Sequence, residues 1–274
     1  MIDKATALYT ITDDLFKAIG HKDDIRCGMT DAEVATTALV ATLCFAGNIE
    51  HAKSALYQTG LMPTMLSTSR LCRRLHRIAD LLLALFHQLG LVFKQANTSM
   101  QYVLDSFPVA LCDNIRIKRC HLVQSEAFRG YIASKRRYFY GVRVYVLATQ
   151  DGIPVEVVFL PGRPHEVNAL RVMPFHLPAG SEIISDSAFT DYGFEDDLKA
   201  AEDILLRPVR KSNSKRADKP WVHYLKNYYR KKIETLFSEI TGLFPKSIHA
   251  VTLEGFLLKV LLFVYAFALQ KAFL

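Results

Sequence analysis

Of the 27 acidic residues in the chain, three stand where carboxylates can converge on one point. Asp105 ends the β-prone run Tyr102-Val103-Leu104, and Asp186 ends a second run, Glu182-Ile183-Ile184-Ser185. Glu234 lies on a long helical segment after the last strand. Ligands gather at strand ends in open α/β sheets, so two strand-end aspartates and a helix-borne glutamate can share a site. Hard oxygen donors suit Mg²⁺ or Mn²⁺, which take one or two protein carboxylates and complete their octahedra with water and substrate phosphate. Two such ions about 4 Å apart would activate a water or a 3′-hydroxyl and stabilise the leaving oxygen of an in-line phosphoryl displacement. Each acid has a rival. Asp191 competes with Asp186, but it precedes a helical pattern and suits an N-cap. Glu239 lies about 140° around the helix axis from Glu234, so the two cannot face one metal.

Other chemistries lack their signatures. The nine histidines are dispersed without H-E-x-x-H spacing, and no G-x-S-x-G elbow is present. The five cysteines are odd in number and without C-x-x-C spacing, which argues against disulfides and structural zinc and for a reducing cytoplasm. Residues 1–20 show no basic-then-apolar leader. The apolar run Gly255 to Leu269, interrupted by Lys259, is read as a buried helix too short to span a bilayer, and no membrane partner is expected.

The formal charge of +7 is unevenly spread. Residues 1–100 are near neutral and 101–206 slightly acidic, whereas Arg207 to Lys232 holds ten Lys or Arg against the single Asp218. Clustered cations suit a polyanion, because phosphate contacts dominate nucleic-acid affinity. Lys211, Lys215, Arg216, Arg230 and Lys231 are the phosphate-tracking candidates here. Arg143, within a strand, is a further one, in a second basic stretch from Arg116 to Arg143. His165-Glu166 is a candidate for orienting substrate. Trp221, the single tryptophan, is expected to pack.

The elements that must hold these residues change character near residue 100. Before it the pattern is helical. Thr30-Asp31-Ala32-Glu33 has capping-box spacing and opens an apolar stretch to Phe45. After Pro63, Leu71, Leu75, Ile78 and Leu82 repeat at helical spacing, with Arg70, Arg73, Arg74 and Arg77 on the other faces. A basic amphipathic helix of this kind is what a helix-turn-helix reader needs. After residue 100, Ser106-Phe107-Pro108 is expected to stop the first strand at Asp105. Tyr138 to Leu147 and Ile153 to Leu160 form a hairpin around Asp151-Gly152. A strand over 182–185, a helix over 192–203, a strand over 204–209 and helices over 221–244 and 253–273 follow.

The blocks V-L-D-S-F-P-V at 103–109, Y-G-V-R-V at 140–144, S-D-S-A-F-T-D-Y at 185–192 and Y-R-K-K-I-E-T-L-F-S at 229–238 resemble, in that order, the DDE transposases of bacterial insertion sequences. G-L-M-P and S-T-S-R-L-C-R-R-L-H in the first hundred residues resemble the N-terminal part of one such group. The resemblance implies an α/β, ribonuclease-H-like mixed sheet flanked by helices over 99–274, preceded by an all-helical DNA-binding region over 1–98. It implies Asp105, Asp186 and Glu234 as ligands of two Mg²⁺ or Mn²⁺ ions, with Arg230 as the basic member of a tyrosine, arginine, glutamate and lysine helix signature. The tyrosine and lysine positions of that signature hold Asn227 and Thr241. The implied activity is strand cleavage at terminal inverted repeats and strand transfer into target DNA, by a homodimer on DNA in the bacterial cytoplasm near the nucleoid. A ribonuclease-H-like nuclease that cuts without joining, and a catalytically degenerate DNA-binding protein, are the competing readings.

Overall fold

Thr30 and Glu33 close the box that their spacing predicts: the Thr30 hydroxyl accepts from the Glu33 N–H, and the Glu33 carboxylate accepts from the Thr30 N–H. Reciprocal capping satisfies two orphan donors and starts α2 (Asp31–Phe45) at the expected residue. The computed structural model describes residues 1–132, 136–163 and 166–274. α2 packs on α1 (Ile2–Ala18), α3 (Ile49–Gln58) and α4 (Thr68–Arg77), and α5 (Ala79–Ala96) follows α4. The apolar repeat through Ile78 is not one helix: the chain turns at Ile78, so Leu71 and Leu75 belong to α4 and Leu82 to α5.

The chain divides into two compact units, Met1–Phe86 with Ile240–Leu274, and His87–Glu239. This division differs from a boundary at 98/99, because the C-terminal helix α9 (Leu253–Phe273) groups with the first unit. There it packs on α2, with Tyr265 edge-on to Phe86 and Phe263 against Phe244. α9 has the span expected over 253–273, but the reading as too short for a bilayer does not hold: its 21 residues are long and apolar enough to cross a membrane, and most of that length is buried within the protein. Lys259 does not break it: the helix continues through this residue, whose amine donates to the His249 carbonyl.

The second unit is built on a six-stranded mixed sheet in the order β2-β3-β1-β5-β6, with β4 beside β3. The strands are β1 (Gln101–Asp113), β2 (Arg129–Ile132), β3 (Arg137–Thr149), β4 (Pro154–Pro161), β5 (Glu182–Ser185) and β6 (Leu205–Pro208). β1 to β4 pair antiparallel, whereas β1–β5 and β5–β6 are parallel. The helices of this unit are α6 (Glu166–Val172), α7 (Tyr192–Glu202) and α8 (Pro220–Gly242). A mixed sheet of this order with flanking helices is the ribonuclease-H-like arrangement. The hairpin turn at Asp151-Gly152 forms as expected, with Gly152 at φ 84°, a conformation that favours glycine.

β1 runs on through Pro108 to Asp113, so Asp105 does not end it. β5 pairs with β1 only over residues 101–104, leaving the later part of β1 bonded to β3 alone. With no second neighbour to serve, a proline without an N–H is tolerated there. One sheet face, through Tyr102, Leu104, Tyr145, Leu147 and Ile183, packs a core with α6 and α7. α5 approaches the sheet so closely that a Cβ on Gly90 would lie 2.0 Å from the Val155 carbonyl oxygen. Nearby, the buried Lys94 amine donates to Glu156 (2.5 Å) and to the Phe175 carbonyl (2.7 Å).

Candidate active site

The parallel ladder between β1 and β5 closes at the pair Leu104 and Ser185. The next residues are Asp105, still on β1, and Asp186, just past the end of β5, so both acids follow the last pair of the ladder. Side chains alternate between faces along a strand. Leu104 belongs to the α6–α7 core, while Val103 and Asp105 line a narrow cleft with Ile184 and Asp186 on the other side. The two acids are turned by the same local device: Asp105 Oδ1 accepts from the Ser106 N–H and Asp186 Oδ1 from the Ser187 N–H, both at 2.7 Å.

α8 closes that cleft. Pro220 opens it, where its fixed φ and missing N–H cost nothing. The buried Lys226 amine then ties it down, donating to Asp218 (2.6 Å) and to the Pro208 carbonyl at the end of β6 (2.9 Å). One turn on, Arg230 faces the same way, followed by Ile233 and by Phe237, whose ring lies 4.9 Å from that of Phe107. Arg230 stands between two acids, Nη1 at 3.8 Å from Asp186 Oδ1 and Nε at 3.4 Å from Glu234 Oε1.

Burial pushes the Asp105 carboxyl up to about 6, and the negative charges of Asp186 and Glu234 push the same way against the Ser106 N–H and Arg230. Three carboxylates balanced by one arginine form an all-oxygen donor set with excess negative charge, which fits a hard divalent cation. Their oxygens are not drawn to within 4.8 Å of one another. Among the described residues that spacing is met by His21, Asp23 and Asp31, where Arg74 already supplies the balancing cation.

The sequence model of the transposase DDE domain matches residues 94–245, more than half of the chain and all three acids. The chain belongs to the transposase DDE domain family. No curated protein and no solved structure matches it. As a DDE transposase it acts on DNA and depends on divalent metal.

The cations expected on this transposase's DNA surface are placed unequally. In α4, Arg70, Arg73 and Arg77 are exposed along one face. Arg74 is turned inward, donating to the Met29 carbonyl and pairing with Asp31, so it joins α4 to the start of α2. Arg143 lies on the sheet face opposite Asp105, donates to Ser106 Oγ (3.2 Å) and lies 3.7 Å from Glu166. In the basic run, Lys211, Lys215 and Lys231 are exposed. Arg216 bridges to Asp196 (2.7 Å) and lies over the Tyr192 ring, and Arg210 forms a buried pair with Glu195. These contacts anchor the 210–219 loop on α7, a duty that a count of basic residues does not reveal. His165 lies outside the described residues. Asp191 caps α7, accepting from the Phe194 N–H, which is the role its spacing suggested.

Two features escaped sequence reasoning. Lys226 stands in the basic run without a role of its own, although its helical spacing of four from Arg230 is a signal of a shared inner face. Trp221, expected to pack, is 63% exposed, because the inner face of α8 is already filled by Lys226, Arg230, Ile233 and Phe237.

Proposed function

We propose that this protein is a DNA transposase that cuts strands at the ends of an element and joins the released 3′-hydroxyl to target DNA. The observation that carries the reading is the placement of Asp105 and Asp186 directly after the last pair of two neighbouring parallel strands, with Glu234 and Arg230 on the helix that crosses them. Asp105, Asp186 and Glu234 would hold two Mg²⁺ or Mn²⁺ ions. When bound, such ions activate the attacking oxygen and stabilise the leaving one. The Ser106 and Ser187 N–H groups fix which carboxylate oxygen of Asp105 and Asp186 is left to face a ligand. Arg230, which neutralises Asp186 and Glu234 here, is placed to turn to a substrate phosphate once cations take over that duty. Arg70, Arg73 and Arg77, with Lys211, Lys215 and Lys231, track phosphates, which positions DNA without reading its sequence.

In this proposal residues 1–98 recognise the terminal inverted repeats, and residues 99–274 carry the catalytic acids. Two ends must be held together, which calls for a homodimer on DNA, and the workplace is a bacterial cytoplasm at the nucleoid. The test is a product assay with labelled inverted-repeat DNA from the sequence flanking the gene. Mg²⁺ or Mn²⁺ should yield both cut ends and joined products. Cutting without joining would make the protein a nuclease, and binding with neither would make it a degenerate DNA-binding protein.

A further inference from the structure

The side of α8 turned away from the sheet is lined with large rings that contact water. Trp221, Tyr224, Leu225 and Tyr228 recur at i, i+3, i+4 and i+7, so they form one stripe over two turns. They are 63, 70, 43 and 50% exposed. Scattered exposed apolar residues need no explanation, but a contiguous aromatic stripe marks a surface that meets a partner. The charge beside the stripe is positive: Lys231 and Lys232 are exposed next to it and no acid occurs from Pro220 to Ile233, while Lys226 and Arg230 belong to the opposite, inner face. The Lys232 amine lies 5.2 Å from the centre of the Tyr228 ring and 5.7 Å from that of Tyr229.

Two copies of such a face would repel, so its charge disfavours self-association through the stripe. A polyanion whose bases present π-faces matches both the cations and the rings. Bases inside a duplex are already stacked on one another and cannot lie on a flat protein ring without leaving the helix. We propose that the outer face of α8, the helix that carries Glu234, is a stacking platform for unpaired bases of single-stranded DNA. At 1.5 Å and 100° per residue, Tyr228 lies about 9 Å along the axis and about 120° around it from Glu234, and Trp221 about 20 Å along the axis, so a strand on the platform reaches the site by passing around α8. The proposal rests on the transposase reading and adds that the strand approaching the site is held unpaired.

Trp221 is the single tryptophan, so its emission reports this surface alone. The full chain is titrated with an oligothymidylate of about 12 nucleotides, a blunt duplex and heparin, following emission and, for the two DNAs, anisotropy. Oligothymidylate should quench Trp221, whereas duplex and heparin should bind with little change in emission. Tyr224→Ala and Tyr228→Ala, which keep the reporter, should each weaken oligothymidylate binding roughly tenfold and leave duplex binding within about twofold. Binding of oligothymidylate with unchanged emission would overturn the platform, as would equal losses for single strand and duplex. A concentration-dependent emission change without DNA, matched by dimerisation in sedimentation, would assign the stripe to a second copy instead. Duplex cleavage is followed separately, so loss of cutting with intact quenching would count against the transposase reading and not against the platform.

Discussion

At the scale of single residues, the acids divide by what surrounds them. Asp105 is held in a partly buried position where burial and two like charges disfavour its ionised form. Its folded pKa of about 6 lies above the ordinary 3.8, so the folded protein binds the extra proton between those values. Without metal, stability should therefore fall as pH rises from about 4 to about 6, and Asp105→Asn should remove that slope. At pH 7 the variant should be more stable than the parent by roughly 1–3 kcal/mol in metal-free urea denaturation. Added Mg²⁺ should stabilise the parent and not the variant. Asp105→Asn, Asp186→Asn and Glu234→Gln should each lower strand cleavage by at least about 100-fold while leaving DNA affinity largely intact, measured by gel assay and anisotropy. An unchanged cleavage rate in any of the three would remove that residue from the site. Local pattern singled out the three acids, although β1 runs on to Asp113 and Asp105 does not end it as that pattern suggested. Which side of the sheet Arg143 faces was not legible, because it depends on the register of β3 against β1.

At the scale of elements, α4 shows that neighbouring arginines can have opposite duties. Arg70→Ala, Arg73→Ala and Arg77→Ala should leave thermal stability nearly unchanged and weaken DNA binding, with the loss shrinking at high salt. Arg74→Ala should destabilise the protein by roughly 1–3 kcal/mol, because Asp31 and the Met29 carbonyl lose their partner. Equal stability losses for all four would refute this division of labour. α5 offers a second case. Alanine is the better helix former, yet Gly90→Ala should cost roughly 1–3 kcal/mol in chemical denaturation, since its Cβ would strike the Val155 carbonyl. The helix spans themselves were largely legible, from caps and periodicity. The close approach of α5 to β4 was not, because periodicity does not say how near a face comes to its neighbour.

At the scale of the whole molecule, the two ends of the chain meet in one unit, with α9 packed on α2. Removing residues 240–274 spares Asp105, Asp186 and Glu234 but takes away a helix whose side chains are mostly buried. The truncated chain should lose the cooperative unfolding of its helical unit and bind a hydrophobic dye, read by circular dichroism and fluorescence. If it retained the parent's full helical signal and melting transition, α9 would not be a core element.

By itself the sequence determined the order of elements, their caps and turns, and which three acids could meet, because each follows from contacts a few residues apart and from short ordered blocks. Tertiary structure alone decided what those acids meet. It placed Arg230 between Asp186 and Glu234, turned Arg74, Arg210 and Lys226 inward, carried β1 past Pro108 and left the rings of α8 in water. Strand register and helix rotation set these outcomes, and both are fixed by packing between segments far apart in the chain.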